Sequence, residues 1–85
     1  MYHIFYADSV VMEDIPALPV RNKEQIKRAI EERLTVDPVG LGKPFRYSLS
    51  GLRRLRVGDY RIIYLIQGTT VKIVKIGHRK EVYDE

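Results

Sequence analysis

The sequence contains no cysteine and no tryptophan, and it has only two histidines. Without cysteine there is neither a disulfide framework nor a thiolate metal site, and His3 and His78 do not form a metal-ligating motif. Long apolar runs are also missing, because no segment approaches the ~20 residues that a membrane helix needs. The first residues lack the pattern of a secretory signal. These absences favour a cytoplasmic protein that works without metal, cofactor or membrane.

What the chain does have is an uneven distribution of charge. Its 85 residues predict a single domain over 1–85, with a thin stability margin for that size. Residues 1–42 carry five basic and seven acidic side chains, whereas residues 43–85 carry ten basic and four acidic ones. The basic second half favours a polyanionic partner, either a nucleic acid or an acidic protein. Charge alone does not choose between them.

The first half predicts one strand and two helices. Residues 2–6 are aromatic and β-branched, which is typical of a strand. Asp8 is a candidate N-cap for a first helix, in which Val11, Ile15 and Leu18 form the inward face. A second helix is expected from a capping box at Asn22 and ends before residues 37–38. Its inward stripe is Ile26, Ala29, Ile30 and Leu34, with the stem of Arg33 at the margin.

The second half predicts an antiparallel sheet. After a loop over residues 35–50, strands are expected at 52–57, 60–66 and 71–76, joined by glycine turns. Gly77 should break the third strand, and residues 79–83 should be extended. The middle strand is apolar on both faces, which indicates a central position. The predicted fold is therefore α+β, with the order β-α-α-β-β-β(-β) and two N-terminal helices packed on a small, twisted antiparallel sheet.

Arginines dominate one face of that sheet. Side chains alternate along a strand, and Leu55 and Val57 require the core, so Arg54 and Arg56 should point to the open face. Arg61 interrupts the apolar central strand and needs a rim or a partner. Clustered like charges are favourable only when an anion binds them, and the guanidinium fork suits phosphate. The alternative is a set of solvated surface charges.

Two segments resemble the RelE/ParE toxin superfamily. Residues 52–64, with the sequence LRRLRVGDYRIIY, resemble its hairpin signature, and residues 76–83, IGHRKEVY, resemble its terminal motif. The upstream IPALP and IKRAIEERL segments also fit, so the resemblance covers nearly the whole chain. It implies a compact fold similar to that of microbial ribonucleases. It also implies a cognate antitoxin that wraps the toxin and silences it.

In the RelE branch, the resemblance implies cleavage of messenger RNA in the ribosomal A site. The ribose 2′-hydroxyl then attacks the adjacent phosphate, and arginines stabilise the developing negative charge. The positions that match the family's site are Arg54, Arg56, Arg61, Arg79 and Tyr83. We expect Arg61 and Arg79 at the phosphate, Arg54 and Arg56 on the backbone at the attacking side, and Tyr83 on a base or near the leaving oxygen. Further candidates for RNA binding are Arg53, His78 and Lys80.

The chain departs from RelE toxins in ways that leave alternatives open. The RelE type often has lysines where Arg54 and Arg56 stand, and arginine gives up a proton far less readily. Other ribonuclease branches use a glutamate base and a histidine acid, for which Glu81 and His78 are the nearby candidates. The ParE branch keeps the fold but targets DNA gyrase. A second interpretation is thus a gyrase inhibitor, and a third is a degraded toxin that only binds its antitoxin.

Overall fold

The computed structural model describes residues 1–45 and 51–80 of the chain. Within them, five strands form one sheet. They are β1 (His3–Tyr6), β2 (Lys43–Pro44), β3 (Arg53–Val57), β4 (Tyr60–Gln67) and β5 (Thr70–His78). Their order in the sheet is β1-β5-β4-β3-β2, so the apolar strand β4 is central, as its sequence predicts. The helices pack on one face, which confirms the α+β fold class.

The helices differ in detail from the prediction. Helix α1 (Val20–Ala29) begins directly after Pro19, not at Asn22, because the extended ψ of 148° at Pro19 ends the preceding segment there. It continues as a π-helical segment, Ile30–Leu34. The predicted inward stripe Ile26, Ala29, Ile30 and Leu34 is confirmed, since all four side chains are buried. Burial of a leucine or isoleucine side chain stabilises the fold by about 1.5–3 kcal/mol.

The first helical segment places a different valine in the core. Residues Val10–Asp14 form a π-helical turn in which the Ile15 N–H donates to the Val10 carbonyl at 2.9 Å. This wider turn buries Val10 completely and leaves Val11 half exposed. The prediction that Val11 faces inward is therefore wrong, because it assumed a regular α-helical period. The predicted cap at Asp8 is also wrong, because the helical turn already includes Asp8 and its first bonds, from the Val10 and Val11 N–H groups, go to the Ala7 carbonyl.

The sheet departs from the prediction in three places. Strand β1 pairs with β5 in parallel, so the sheet is mixed and not wholly antiparallel. Strand β5 continues through Gly77, which pairs with Arg61, because a glycine in a strand can face a bulky neighbour. The predicted loop over 35–50 contains a short helix, α2 (Pro38–Leu41), and strand β2, which pairs with β3.

The edge of β5 that faces β1 changes partner at a β-bulge, and after the bulge an aspartate side chain pairs with it. Ile63 pairs with Lys75 but Tyr64 pairs with Ile73, so one extra residue stands between them on β5. Beyond this bulge β1 no longer covers the edge. Asp14 does so instead, accepting from the Ile76 N–H at 3.0 Å and from Lys75 Nζ at 3.1 Å. The side chain of Asp14 thereby replaces a strand neighbour.

No helix within the described ranges combines the length and the apolar character that spanning a bilayer requires.

Candidate functional site

A cleft beside β3 collects positive charge. It encloses about 370 Å³ and is lined by residues of β2, β3 and β4 and by two residues of the helical segments. Five of its lining side chains are cationic and two are leucines: Arg33, Lys43, Arg54, Arg56, Arg61, Leu41 and Leu55. No acidic side chain lines it among residues 1–45 and 51–80. We call this feature the cationic cleft.

The β3–β4 hairpin sets the geometry of the cleft. A two-residue turn with Gly58 at a φ of 60° joins the strands, which matches a type II′ turn. The turn fixes a register in which Arg56 stands directly opposite Arg61 on the same face. Like charges directly opposite each other across a strand pair destabilise a sheet. The hairpin thus places two arginines at directly opposed positions of one sheet face, where a bound anion can contact both.

Arg54 completes the predicted part of the cleft. It pairs across the sheet with Ile63, whose buried side chain gives this face an apolar floor. The guanidinium lies 5.6 Å from the centroid of the Phe45 ring, and its Nη1 donates to the Pro44 carbonyl at 3.4 Å. Stacking on an aromatic ring orients the planar group. The structure therefore brings together the predicted arginines 54, 56 and 61.

Two cationic residues of the cleft were missed by the sequence reasoning. Lys43 faces Arg54 across the β2–β3 pair, a contact that a two-residue strand gives no pattern to predict. Arg33 stands in the π-helical segment after α1, and its position at the margin of the inward stripe was the signal that could have placed it here. Both enlarge the cation cluster beyond the two strands that the sequence indicated.

Arg53 has a different environment from its neighbours. It shares the helix-facing side of β3 with Leu55 and pairs with Tyr64. Its Nη2 donates to the carbonyls of Val39 and Gly42, the latter at 2.9 Å. It does not line the cationic cleft. Backbone carbonyls take up its guanidinium, so the structure does not bring this candidate for RNA binding together with the arginines of the cleft.

Tyr64 is buried directly opposite Arg53 across the β3–β4 pair. Its hydroxyl donates to the Pro38 carbonyl at 2.6 Å, and the side chain is fully buried. Burial raises the pKa of this phenol above 10.0, and the nearby Asp37 adds to the rise while Arg53 opposes it. The phenol therefore stays neutral and keeps its proton for the hydrogen bond.

The candidates at the end of β5 and just after it do not line the cleft. His78 pairs with Tyr60, and their rings meet edge to face at 5.5 Å. Arg79 Nε lies 3.8 Å from a carboxylate oxygen of Asp59. The backbone N–H of Lys80 donates to His78 Nδ1 at 3.2 Å, and the Lys80 side chain is exposed. Tyr83 and Glu81 lie outside the described residues.

Among positions 1–45 and 51–80, no three histidine, aspartate or glutamate side chains come close enough together to hold an ion.

Comparison with known proteins places this arrangement in a family. Residues 9–83 match the family described as the ParE toxin of the type II toxin–antitoxin system parDE. The chain belongs to this toxin family. Among curated relatives, Toxin RelG of Mycobacterium tuberculosis is 35% identical over 72 residues, which span 82% of this chain and 83% of RelG. Toxin RelE of the same organism is 32% identical over 96% of this chain and 86% of its own length.

A solved structure extends the likeness to the backbone. The RelBE2 toxin–antitoxin complex of Mycobacterium tuberculosis contains a chain that superposes with a TM-score of 0.83 at 31% identity, covering 92% of this chain and 91% of that one. The RelE/ParE superfamily, expected from the two motifs, is thereby confirmed. The family carries the ParE name, whereas these relatives carry RelE-type names. This protein is thus a RelE-like toxin of a type II toxin–antitoxin system.

Proposed function

We propose that this toxin is a ribosome-dependent endoribonuclease that cleaves messenger RNA at the cationic cleft. The observation that carries the proposal is the pairing of Arg56 with Arg61 across β3 and β4, in a cleft that no described acidic side chain lines. Two neighbouring cations on one face of the sheet attract a dense anion to the cleft. A phosphodiester is an anion of that kind, and two guanidinium groups can contact its oxygens together.

The proposed reaction is an in-line displacement at phosphorus. The ribose 2′-oxygen forms a bond to phosphorus and loses its proton, while the bond to the 5′-oxygen breaks and that oxygen gains a proton. The products are a 2′,3′-cyclic phosphate and a free 5′-hydroxyl. Negative charge gathers on the phosphoryl oxygens in the transition state, and Arg56 and Arg61 are fixed beforehand to stabilise it. Arg54 and Phe45 present a flat surface to the neighbouring nucleotide.

Arg79 and Tyr83 complete the proposed site from the end of the chain. The Arg79–Asp59 ion pair joins two side chains that are both about half exposed or more, so its release costs less than about 1 kcal/mol. The backbone N–H of Arg79 is bonded to the Asp59 carbonyl at 2.8 Å, which anchors the residue just past β5. Arg79 can therefore turn towards a bound phosphate. Tyr83 is proposed to stack on a base or to act at the leaving oxygen.

The proposed partner is a cognate antitoxin, as in the RelBE2 complex. The cationic cleft favours an acidic segment of that partner, because such a segment would neutralise the charges that RNA otherwise meets. Ribosomes are cytoplasmic, so the proposed activity puts this toxin in the cytoplasm.

The test is brief induction of the toxin without antitoxin, followed by mapping of new 5′ ends on cellular messenger RNA. We expect new ends confined to translated frames with the wild type, and few or none with Arg61→Ala or Arg79→Ala. Lys27→Met is the matched control, since it removes an exposed positive charge on α1 outside the cleft. Full toxicity of both arginine variants would reject the proposed site.

A second candidate is inhibition of DNA gyrase. The ParE description of the matching family favours it, and so do the arginines at 54 and 56, which are poor proton acceptors. It predicts growth arrest and a DNA-damage response while messages stay intact. Absence of any arrest would instead indicate a toxin that has lost its activity and only binds its antitoxin.

A further inference from the structure

One wall of the cationic cleft comes from a short segment that sequence periodicity does not predict. Residues 37–44, here called the wall segment, comprise helix α2 and strand β2. The segment contributes Leu41 and Lys43 to the cleft lining. Because Lys43 pairs with Arg54 across β2 and β3, it shares the open face with the arginines. Lys43 is therefore the one cation of the described cleft lining that stands outside β3, β4 and the helix that continues α1.

The wall segment has little of its own to hold it in place. Helix α2 has only four residues, too short to be stable alone, and β2 pairs with β3 through two residues. Asp37 caps the segment by accepting from the Gly40 N–H at 2.9 Å. Lys43 itself is exposed. Its position over the cleft therefore depends on how the segment is fastened to the sheet.

Arg53 and Tyr64 hold the wall segment against the sheet through side-chain hydrogen bonds. Arg53 Nη2 donates to the Val39 and Gly42 carbonyls, which lie on either side of the end of α2. The Tyr64 hydroxyl donates to the Pro38 carbonyl at 2.6 Å. Together they bind three carbonyls within five residues. A polar group that takes up otherwise unsatisfied carbonyls at a helix end stabilises that end.

Gly42 shows how close the contact is. A Cβ built at this position would lie 1.7 Å from the Tyr64 hydroxyl oxygen, a distance that no real side chain tolerates. The backbone of the wall segment thus lies directly against the phenol. Lys43 follows Gly42 immediately in the chain, so any displacement of this contact moves the lysine as well.

We propose that Lys43 binds the RNA backbone in the cationic cleft, and that Arg53 is the positioning residue that, with Tyr64, holds Lys43 there. The proposal rests on the proposed function. Arg53 lies on the opposite face of β3 from Arg54 and Arg56 and does not line the cleft, so it acts through the wall segment and not on the RNA. Neighbouring arginines on one strand therefore have different tasks.

The two roles are separable by a double-mutant cycle. The assay measures the toxin concentration that half-saturates ribosomes programmed with messenger RNA, together with the cleavage rate at saturation. Lys43→Met should raise that concentration roughly tenfold, the loss expected for one charge-assisted phosphate contact. Arg53→Met should raise it by a similar factor, and the double variant by no more than the larger single effect. The saturated rate should fall less than threefold in each.

The controls distinguish positioning from general damage. Lys27→Met removes a positive charge far from the wall segment and should behave as wild type. Arg53→Lys keeps one donor and should recover part of the affinity that Arg53→Met loses. In hydrogen exchange, the Gly40 and Leu41 amides should exchange at least tenfold faster in Arg53→Met, while amides of β4 and β5 keep their protection.

Two outcomes would overturn the proposal. Independent effects that multiply to about a hundredfold would mean that Arg53 touches the RNA itself. Wild-type affinity in Arg53→Met, with unchanged exchange at residues 40–41, would mean that Arg53 positions nothing. If Arg53→Met fails to fold, Tyr64→Phe takes its place in the same cycle with the same criteria. A wild type that neither binds nor cuts would reject the proposed function instead, and hydrogen exchange would then decide the positioning role alone.

Discussion

Two regions of the sheet differ in what surrounds their positively charged side chains. Beyond the bulge of β5, Lys75 binds Asp14 at 3.1 Å, and after the strand Arg79 lies 3.8 Å from Asp59. In the cationic cleft, Arg56 instead faces Arg61, and no acidic side chain lines the cavity within the described residues. Lys75 beside an acid contributes to the fold. Arg56 lies directly opposite Arg61 on one face, a pattern that suits an anionic ligand.

The same contrast occurs within a single strand. Arg53 donates to backbone carbonyls and belongs to the fold, whereas Arg54 lies against Phe45 and lines the cleft. Strand alternation places the two side chains on opposite faces. Residue type therefore says less about function here than the groups that each guanidinium meets.

The largest effect is expected from removing the central arginine of the cleft. Arg61→Gln should lower the cleavage rate about 10²–10³-fold, because it deletes a preorganised donor to the charge that develops on the phosphate. Single-turnover cleavage of messenger RNA on purified ribosomes measures the change, with Lys27→Met as the control. A loss of less than threefold would mean that Arg61 does not serve cleavage and that the two regions do not differ in function.

The next largest effect is expected at Asp14, in the region of the sheet beyond the β5 bulge, and should change only the stability of the fold. Asp14→Ala leaves the Ile76 N–H without its acceptor and Lys75 without its carboxylate, so the free energy of unfolding should fall by about 2 kcal/mol. Urea denaturation measures the loss. The cleavage rate per folded molecule should stay unchanged, and a parallel loss of that rate would show that Asp14 also serves the site.

The contribution of Tyr64 to the free energy of unfolding, about 1 kcal/mol, should depend on pH. The raised pKa of the Tyr64 phenol means that the folded state holds this proton more tightly than the unfolded state. Its stabilising contribution is therefore complete below the ordinary pKa of 10.0 and is lost as the pH rises through the raised value. Wild type should exceed Tyr64→Phe in urea stability at pH 9 by about 1 kcal/mol, and by less at pH 11. A constant difference would show that Tyr64 does not titrate in this way.

The smallest effect has the most unusual sign. Arg56→Thr removes one of two facing like charges and places a β-branched residue in the strand, so stability should rise by about 0.5 kcal/mol while cleavage falls. Thermal unfolding with and without added phosphate measures both the gain and the loss of an anion site. A destabilised Arg56→Thr would mean that the Arg56–Arg61 pair supports the fold and is no sign of a ligand.

The sequence predicts those features that depend on short-range patterns. Alternation along β3 is enough to place Arg54 and Arg56 on one face, and the glycine turn at 58–59 brings Arg61 opposite Arg56. The inward stripe of α1 and its π-helical continuation likewise follows from helical periodicity. These features need no knowledge of the tertiary fold.

The features that were missed depend on contacts between distant segments. Lys43 reaches the cleft through a strand of two residues, and Arg53 donates to carbonyls in α2 and just after it, fourteen and eleven residues earlier. The parallel pairing of β1 with β5 joins residues 3–6 to residues 70–73, which are far apart in the sequence. Gly77 was misread for a related reason, since its partner Arg61 lies on another strand.

The most direct test of the RNA-cleaving cleft is the chemistry of its product. Purified toxin is mixed with ribosomes programmed with a defined messenger RNA, and the new RNA ends are analysed. We expect a 2′,3′-cyclic phosphate and a 5′-hydroxyl at a single position in the A site. Both should be lost when the attacked nucleotide carries a 2′-deoxyribose or when Arg61 is replaced by glutamine. Intact messenger RNA with the wild-type toxin would contradict cleavage at the cationic cleft, and cleavage that survives removal of the 2′-hydroxyl would contradict the proposed reaction.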